Sequence, residues 1–192
     1  ALNTAGVRPG QSVAVIGLGG VGFSGLMGAK MAGAFPLIAV DINPEKLGLA
    51  RQFGADHTVD PSEPDAVERI RDLTGGGVEI ALEFAGAVRA LETGYKILRV
   101  GGSLVTAGLA PAGHDFPIPA ADLVTREISV RGSYMGGCVP VRDIPRFLDA
   151  YQRGEMPVDR LIAGTVGFED LNAGFDKLAS GSVIRQILTP HG

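Results

Sequence analysis

The chain holds a single cysteine, Cys138, among its 192 residues. One thiol excludes an internal disulfide and any multi-cysteine zinc site, and the cytoplasm is the expected compartment. Basic charge is sparse as well. Seventeen Lys and Arg stand against 21 Asp and Glu, the net charge is −4, and no basic cluster forms. Nucleic acid and anionic membrane are therefore not expected partners. Only three histidines occur: His57 opens a short apolar run, His114 lies in a Pro/Gly loop and His191 is in the tail. No pair of them has metal-ligand spacing, and neither a G-x-S-x-G elbow nor a carboxylate pair stands out, so no catalytic residue and no metal ligand is assigned. No signal peptide is visible, and a first residue other than methionine, Ala1, makes a piece of a longer protein the expectation.

The longest uncharged run is Val13–Ala29, seventeen residues. Six of them are glycine, each costing a helix about 1 kcal/mol relative to alanine, and no aromatic belt flanks the run. A membrane span is not expected. Glycine is instead abundant, 29 of 192 residues, and it gathers at turns and helix entries and follows no repeat.

That same run carries the main signal. Val13–Ile16 reads as a buried strand, Gly17, Gly19 and Gly22 fall at the G-x-G-x-x-G spacing, and a helix opens behind them. Asp41 ends the next apolar run, nineteen residues after Gly22. Such a layout brings main-chain N–H groups and a helix N-terminus to a diphosphate, and a carboxylate to a ribose. The negative charge of Asp41 repels a 2′-phosphate, so NAD is expected over NADP.

Strands are expected at Ser12–Ile16, Leu37–Val40, His57–Val59, Val78–Leu82, Ser103–Ala107 and Ile128–Tyr134. Helices between them are expected at Gly20–Gly33, from Asn43-Pro44 to about Phe53, at Pro64–Leu73 and at Val88–Leu98, with Gly101-Gly102 as a turn. This alternation predicts an α/β Rossmann fold, a doubly wound six-stranded parallel sheet of order 3-2-1-4-5-6, with the ligand at the switch between strands 1 and 4. The first helix is apolar on more than one side (Gly22, Gly25, Ala29 and Ala32; Phe23, Leu26, Met27 and Met31), which calls for cover on more than one side, part of it from outside the chain. Residues 1–135 are expected to form the dinucleotide-binding domain. Residues 136–192 then form a C-terminal appendix, with helices at Pro140–Arg153 and Phe168–Leu178 and strands at Leu161–Val166 and Val183–Thr189.

Seven stretches resemble one family in order: GLGGVG at Gly17–Gly22, AVDINPEKL at Ala39–Leu47, FGADHTVDP at Phe53–Pro61, TGGGV…EFAG between Thr74 and Gly86, GSYMGG at Gly132–Gly137, PVDRLI at Pro157–Ile162 and LASGSVIRQIL at Leu178–Leu188. The sequence resembles the zinc-dependent medium-chain alcohol dehydrogenases along essentially its whole length, with the class III, formaldehyde-dehydrogenase side the nearest likeness. The resemblance implies that Gly17, Gly19, Gly20, Val21 and Gly22 hold the cofactor diphosphate, and that Asp41 and Lys46 contact the adenosine ribose. Ile42 and Ala85 would flank adenine, Gly108, Leu109, Ser133, Tyr134 and Met135 would meet the nicotinamide, and Arg185 would reach the diphosphate. It also implies an N-terminal catalytic domain that is absent here and that carries the zinc of the parent protein. The chain alone is then expected to bind NAD without turnover, while the parent transfers hydride between NAD and a primary alcohol or a thiol–aldehyde adduct. Two alternatives stand beside this reading: a zinc-independent NADPH quinone or enoyl reductase, and a non-catalytic NAD-responsive module. The family also implies a homodimer through the strand Ile128–Tyr134.

Overall fold

The structure is a computed structural model that describes residues 1–190. Six parallel strands form its centre: β1 (Val13–Ile16), β2 (Leu37–Val40), β3 (His57–Val59), β4 (Val78–Glu83), β5 (Leu98–Thr106) and β6 (Ser129–Gly132). Their order is β3-β2-β1-β4-β5-β6, the expected doubly wound arrangement. Helices α1 (Gly20–Met31), α2 (Pro44–Gln52), α3 (Ala66–Leu73) and α4 (Val88–Lys96) make the crossovers, and a short α5 (Ala120–Thr125) precedes β6.

The apolar runs of β1 and β2 are wholly buried because both sheet faces are covered. Alternation sorts their side chains into two cores. Val13, Val15, Leu37 and Ala39 face Phe23, Leu26 and Met27 of α1, while Ala14, Ile16, Ile38 and Val40 share the opposite core with Ile70 of α3 and Tyr95 of α4. The small-residue stripe of α1 lies where close packing demands it. A Cβ on Gly22 would stand 1.8 Å from the Gly17 carbonyl oxygen, and one on Gly25 would stand 2.4 Å from the Phe84 ring.

Beyond β6 the chain forms α6 (Pro140–Gln152), β7 (Ile162–Val166), α7 (Leu171–Ala179) and β8 (Arg185–Leu188), with β7 and β8 paired in parallel as a separate sheet. Ala150, Met156 and Leu161 belong to the same core as α1, and Ala1, Ala5 and Val7 pack on it. The second cover expected from outside the chain is thus supplied from its own two ends.

Most element boundaries differ from expectation by one to three residues. The larger correction is at β5, which starts at Leu98, well before Ser103. Gly101-Gly102 is no inter-element turn but a bulge: β4 advances from Val78 to Ile80 while β5 advances from Leu98 to Ser103. Helix α3 starts at Ala66, two residues after the expected Pro64, and the expected helix at Phe168 begins as a 3-10 turn, Phe168–Asp170. Strand β6 covers only Ser129–Gly132 of the expected Ile128–Tyr134. His191 lies outside the described residues.

Candidate dinucleotide site

The site lies at the carboxyl ends of β1 and β4, where the crossovers turn to opposite faces of the sheet. Gly17 leaves β1 at φ 86°, in the left-handed region, and a Cβ there would meet the Ala85 nitrogen at 2.6 Å. Only glycine allows the two strand-end loops to come this close. Helix α1 then starts at Gly20 with Gly19 as an N-cap that lacks a side-chain hydrogen bond and with no acidic residue in its first turn. Its leading N–H groups are short of intrahelical partners, and beside them a Cβ on Gly19 would meet nothing within 4 Å.

Two charged groups flank this helix entry. The Arg185 guanidinium Nη2 stands 3.4 Å from where a Gly20 Cβ would be. Among the described residues no carboxylate pairs with Arg185. On the other side, the Asp41 carboxylate accepts hydrogen bonds from the Leu18 N–H at 2.6 Å and the Asn43 N–H at 2.9 Å. Asn43 in turn caps α2, its Oδ1 accepting from the N–H groups of Glu45 and Lys46. The acidic strand end, the glycine turn and the entry to α2 are one hydrogen-bonded assembly.

Gly17, Asp41, Ile42 and Ala85 line a single cavity of about 330 Å³. It is walled further by Pro61, Ser62, Ala87, Arg89, Ala90 and Thr93, none of which the sequence reading singled out. The usable signal was position: Pro61-Ser62 follows β3, and Ala87, Arg89, Ala90 and Thr93 lie on the first turns after β4, so both sets share the carboxyl edge. A second cavity of about 360 Å³ lies beyond the turn and brings Val21, Phe84 and Met135 together with the N-terminal residues Ala1–Asn3. Of the residues expected to meet the nicotinamide, this second cavity contains Met135 alone.

The other predicted residues fall into place unevenly. Lys46 does not line the Asp41 cavity. It borders a neighbouring one of about 220 Å³ with Asn43 and Gly181–Ile184, and its Nζ stands 3.5 Å from where a Gly181 Cβ would be. Gly108 and Leu109 pack directly on Gly86, and the Leu109 side chain is 85 % exposed. The Ser133 N–H donates to the Thr106 carbonyl at 2.7 Å, and its hydroxyl pairs with Thr4 at 2.9 Å. Tyr134 is exposed, and Met135 holds φ 50°, a conformation that costs a non-glycine residue about 1–2 kcal/mol.

The loop that carries Met135 is tied to the N-terminus through Asp143. This buried carboxylate accepts from Arg142, from the Val139 N–H at 2.9 Å and from the Asn3 amide at 2.9 Å. The Arg142 guanidinium, then the Val139 N–H, hold the Asp143 carboxyl well below the usual carboxylate range, against the opposing effect of burial.

With this geometry in hand, the sequence matches the domain family described as zinc-binding dehydrogenase over residues 20–153. The chain belongs to that family. It is 36% identical to geraniol dehydrogenase of Castellaniella defragrans, covering 98% of this chain and 50% of that protein. Benzyl alcohol dehydrogenase from Acinetobacter calcoaceticus superposes with a TM-score of 0.92 at 33% identity, over 97% of this chain and 51% of that one. A zinc-binding dehydrogenase of Sinorhizobium meliloti 1021, bound to NADP, gives a TM-score of 0.89 at 29% identity, over 98% of this chain and 55% of that one. The chain thus spans about half the length of these relatives. What it contains is the coenzyme-binding part of a zinc-binding dehydrogenase of the medium-chain alcohol dehydrogenase type.

Zinc itself does not fit the described residues of this chain. No three of their His, Cys, Asp or Glu side chains are grouped to hold a metal ion, and Cys138 stands alone. No helix among the described residues is long and apolar enough to cross a membrane.

Proposed function

We propose that this chain is the NAD-holding half of an alcohol dehydrogenase that oxidises primary alcohols. The observation that carries the cofactor choice is Asp41. Its carboxylate is anchored to the Leu18 and Asn43 N–H groups at the wall of the 330 Å³ cavity, where it receives ribose hydroxyls and opposes a 2′-phosphate. The open N–H groups at Gly20–Gly22 and the Arg185 guanidinium support a diphosphate beside it. Ile42 and Ala85 bound the space left for a flat base, and the loops at Gly86, Gly108–Leu109 and Ser133–Met135 bound the space left for the nicotinamide. The nicotinamide ring, when bound, accepts or returns the hydride.

The chain's part in the reaction is orientation. It fixes one face of the ring toward the substrate and keeps the diphosphate and sugar still, which is where holding a reactant in place contributes to rate. The dehydrogenase relatives named above are described as acting on geraniol and benzyl alcohol, which supports a primary alcohol as substrate. The intact protein should reduce NAD with such alcohols, while residues 1–192 alone bind the cofactor without turnover. A rate from residues 1–192 equal to that of the intact protein would contradict this.

Strand β6 is paired only with β5 among the described strands, and its outer edge offers main-chain groups to a second copy. A homodimer through this edge follows, and sedimentation as a monomer at micromolar concentration would refute it.

A further inference from the structure

Glu83 is a carboxylate with no exposed surface at the carboxyl end of β4, and no cation pairs with it among the described residues. Burying such a group in an apolar strand costs stability unless its oxygens are used. Both are. Oε1 accepts from the Gly86 N–H at 2.7 Å, and Oε2 accepts from the Thr106 hydroxyl at 2.6 Å. The lengths are those of charge-assisted bonds. The Glu83 main-chain carbonyl also accepts from the N–H groups of Ala107 at 2.9 Å and Gly108 at 3.3 Å.

Gly86 lies in the loop after β4, Thr106 is the last residue of β5, and Ala107 and Gly108 open the loop after it; the register puts Ile16, Glu83 and Thr106 side by side at the carboxyl end of the sheet, facing the cofactor crevice. The loops meet backbone to backbone. A Cβ on Gly108 would stand 2.2 Å from the Gly86 nitrogen and 2.7 Å from Glu83 Oε2, and a Cβ on Gly86 would stand 2.7 Å from the Leu109 carbonyl. Glu83 thus bonds to both sides of a contact that leaves no room for a Cβ.

We propose that Glu83 is a positioning residue. Its side chain clasps the loop Phe84–Gly86, at the Gly86 N–H, to the end of β5 at Thr106, from which the loop Ala107–Leu109 departs, and so fixes the wall against which the nicotinamide rests. The inference rests on the reading above that the nicotinamide half of the cofactor lies over these loops. The adenosine ribose is held elsewhere, by Asp41, and the diphosphate by the α1 entry and Arg185; the clasped loop borders the adenine side through Ala85 alone, so loosening the clasp acts mainly on the nicotinamide half. Glutamine preserves the clasp: its Oε1 accepts from Gly86, and its amide donates to Thr106, whose hydroxyl can turn to the Gly108 carbonyl 3.4 Å away. Leucine fills the same space and breaks it.

The test uses the intact protein carrying E83L, E83Q or T106V. T106V removes one bond at constant shape and keeps the test open should E83L fail to fold. In single-turnover reduction of NAD by a primary alcohol, E83L and T106V should slow hydride transfer by about 10- to 100-fold, the loss expected of a reactant displaced by a fraction of an ångström to 1 Å. Affinity for ADP-ribose should stay within about twofold, and E83Q should recover most of the rate. Equal losses for ADP-ribose and NADH, or full-rate E83L, would overturn the proposal. Should the parent protein reduce no NAD with any primary alcohol, the alcohol reading fails by itself. The clasp is then judged by the ratio of NADH to ADP-ribose affinity, which E83L and T106V should lower by at least about fivefold and which an unchanged ratio would refute.

Discussion

The Leu18 main-chain N–H donates a 2.6 Å hydrogen bond to the Asp41 carboxylate, joining the turn after β1 to the end of β2. On the proposed function, the bond ties the group that would hold the sugar to the loop that would hold the diphosphate. Replacing Asp41 by asparagine keeps one acceptor for Leu18 but removes the charge. NAD affinity should fall by about 10- to 100-fold, the range for a lost hydrogen bond to a charged group, while NADP affinity rises. Fluorescence titration with NADH and NADPH reads both directions, and a variant that still prefers NADH to the parental degree would contradict the assignment.

Two glycines of the same turn separate folding from binding. A Cβ on Gly22 collides with the Gly17 carbonyl at 1.8 Å, whereas one on Gly19 meets nothing within 4 Å. G22A should destabilise the fold by about 3 kcal/mol or more, visible as a lowered Tm without ligand. G19A should leave the ligand-free Tm within about 2 °C of the parent and abolish the Tm rise on adding NAD, because its methyl enters the space left for the diphosphate.

The acid response should report Asp143. Its carboxyl titrates below the ordinary range because Arg142, Val139 and Asn3 favour the ionised form. A depressed value in the folded state contributes stability above about pH 4, where the unfolded carboxyl is ionised, and that contribution is lost as pH falls through the folded value. D143N should therefore have a lower Tm than the parent at pH 7, with the gap closing below about pH 4. A gap that is constant from pH 7 to pH 3 would show that ionisation plays no part.

The sheet order and the meeting of Gly17, Asp41, Ile42 and Ala85 in one crevice were legible in the chain because local chemistry encodes them. Val13–Ile16 and Leu37–Val40 are continuous apolar runs that only a sheet covered on both faces can use, and the Gly17–Gly22 spacing is a demand of close backbone approach. The bulge in β5 was not legible, because Gly101-Gly102 has the composition of an ordinary turn and only pairing with β4 shows it to lie within a strand. Arg89 and Ser62 escaped for a related reason: neither belongs to a motif, and they converge on Asp41 only once β2, β3 and β4 are side by side. Glu83 directly follows the expected strand Val78–Leu82 and carries no motif of its own. Its use of both oxygens depends on contacts three and twenty-three residues away. Lys46 lies near the site by sequence but borders the neighbouring cavity, since the turn at Gly181 comes up against its ammonium group.

The most direct measurement is calorimetric titration of residues 1–192 with NAD and, separately, with NADP. The account predicts one exothermic site for NAD and binding to NADP weaker by about tenfold or more, the cost of setting a phosphate against an unreleased carboxylate. Absence of heat with NAD, or equal affinity for both dinucleotides, would contradict it.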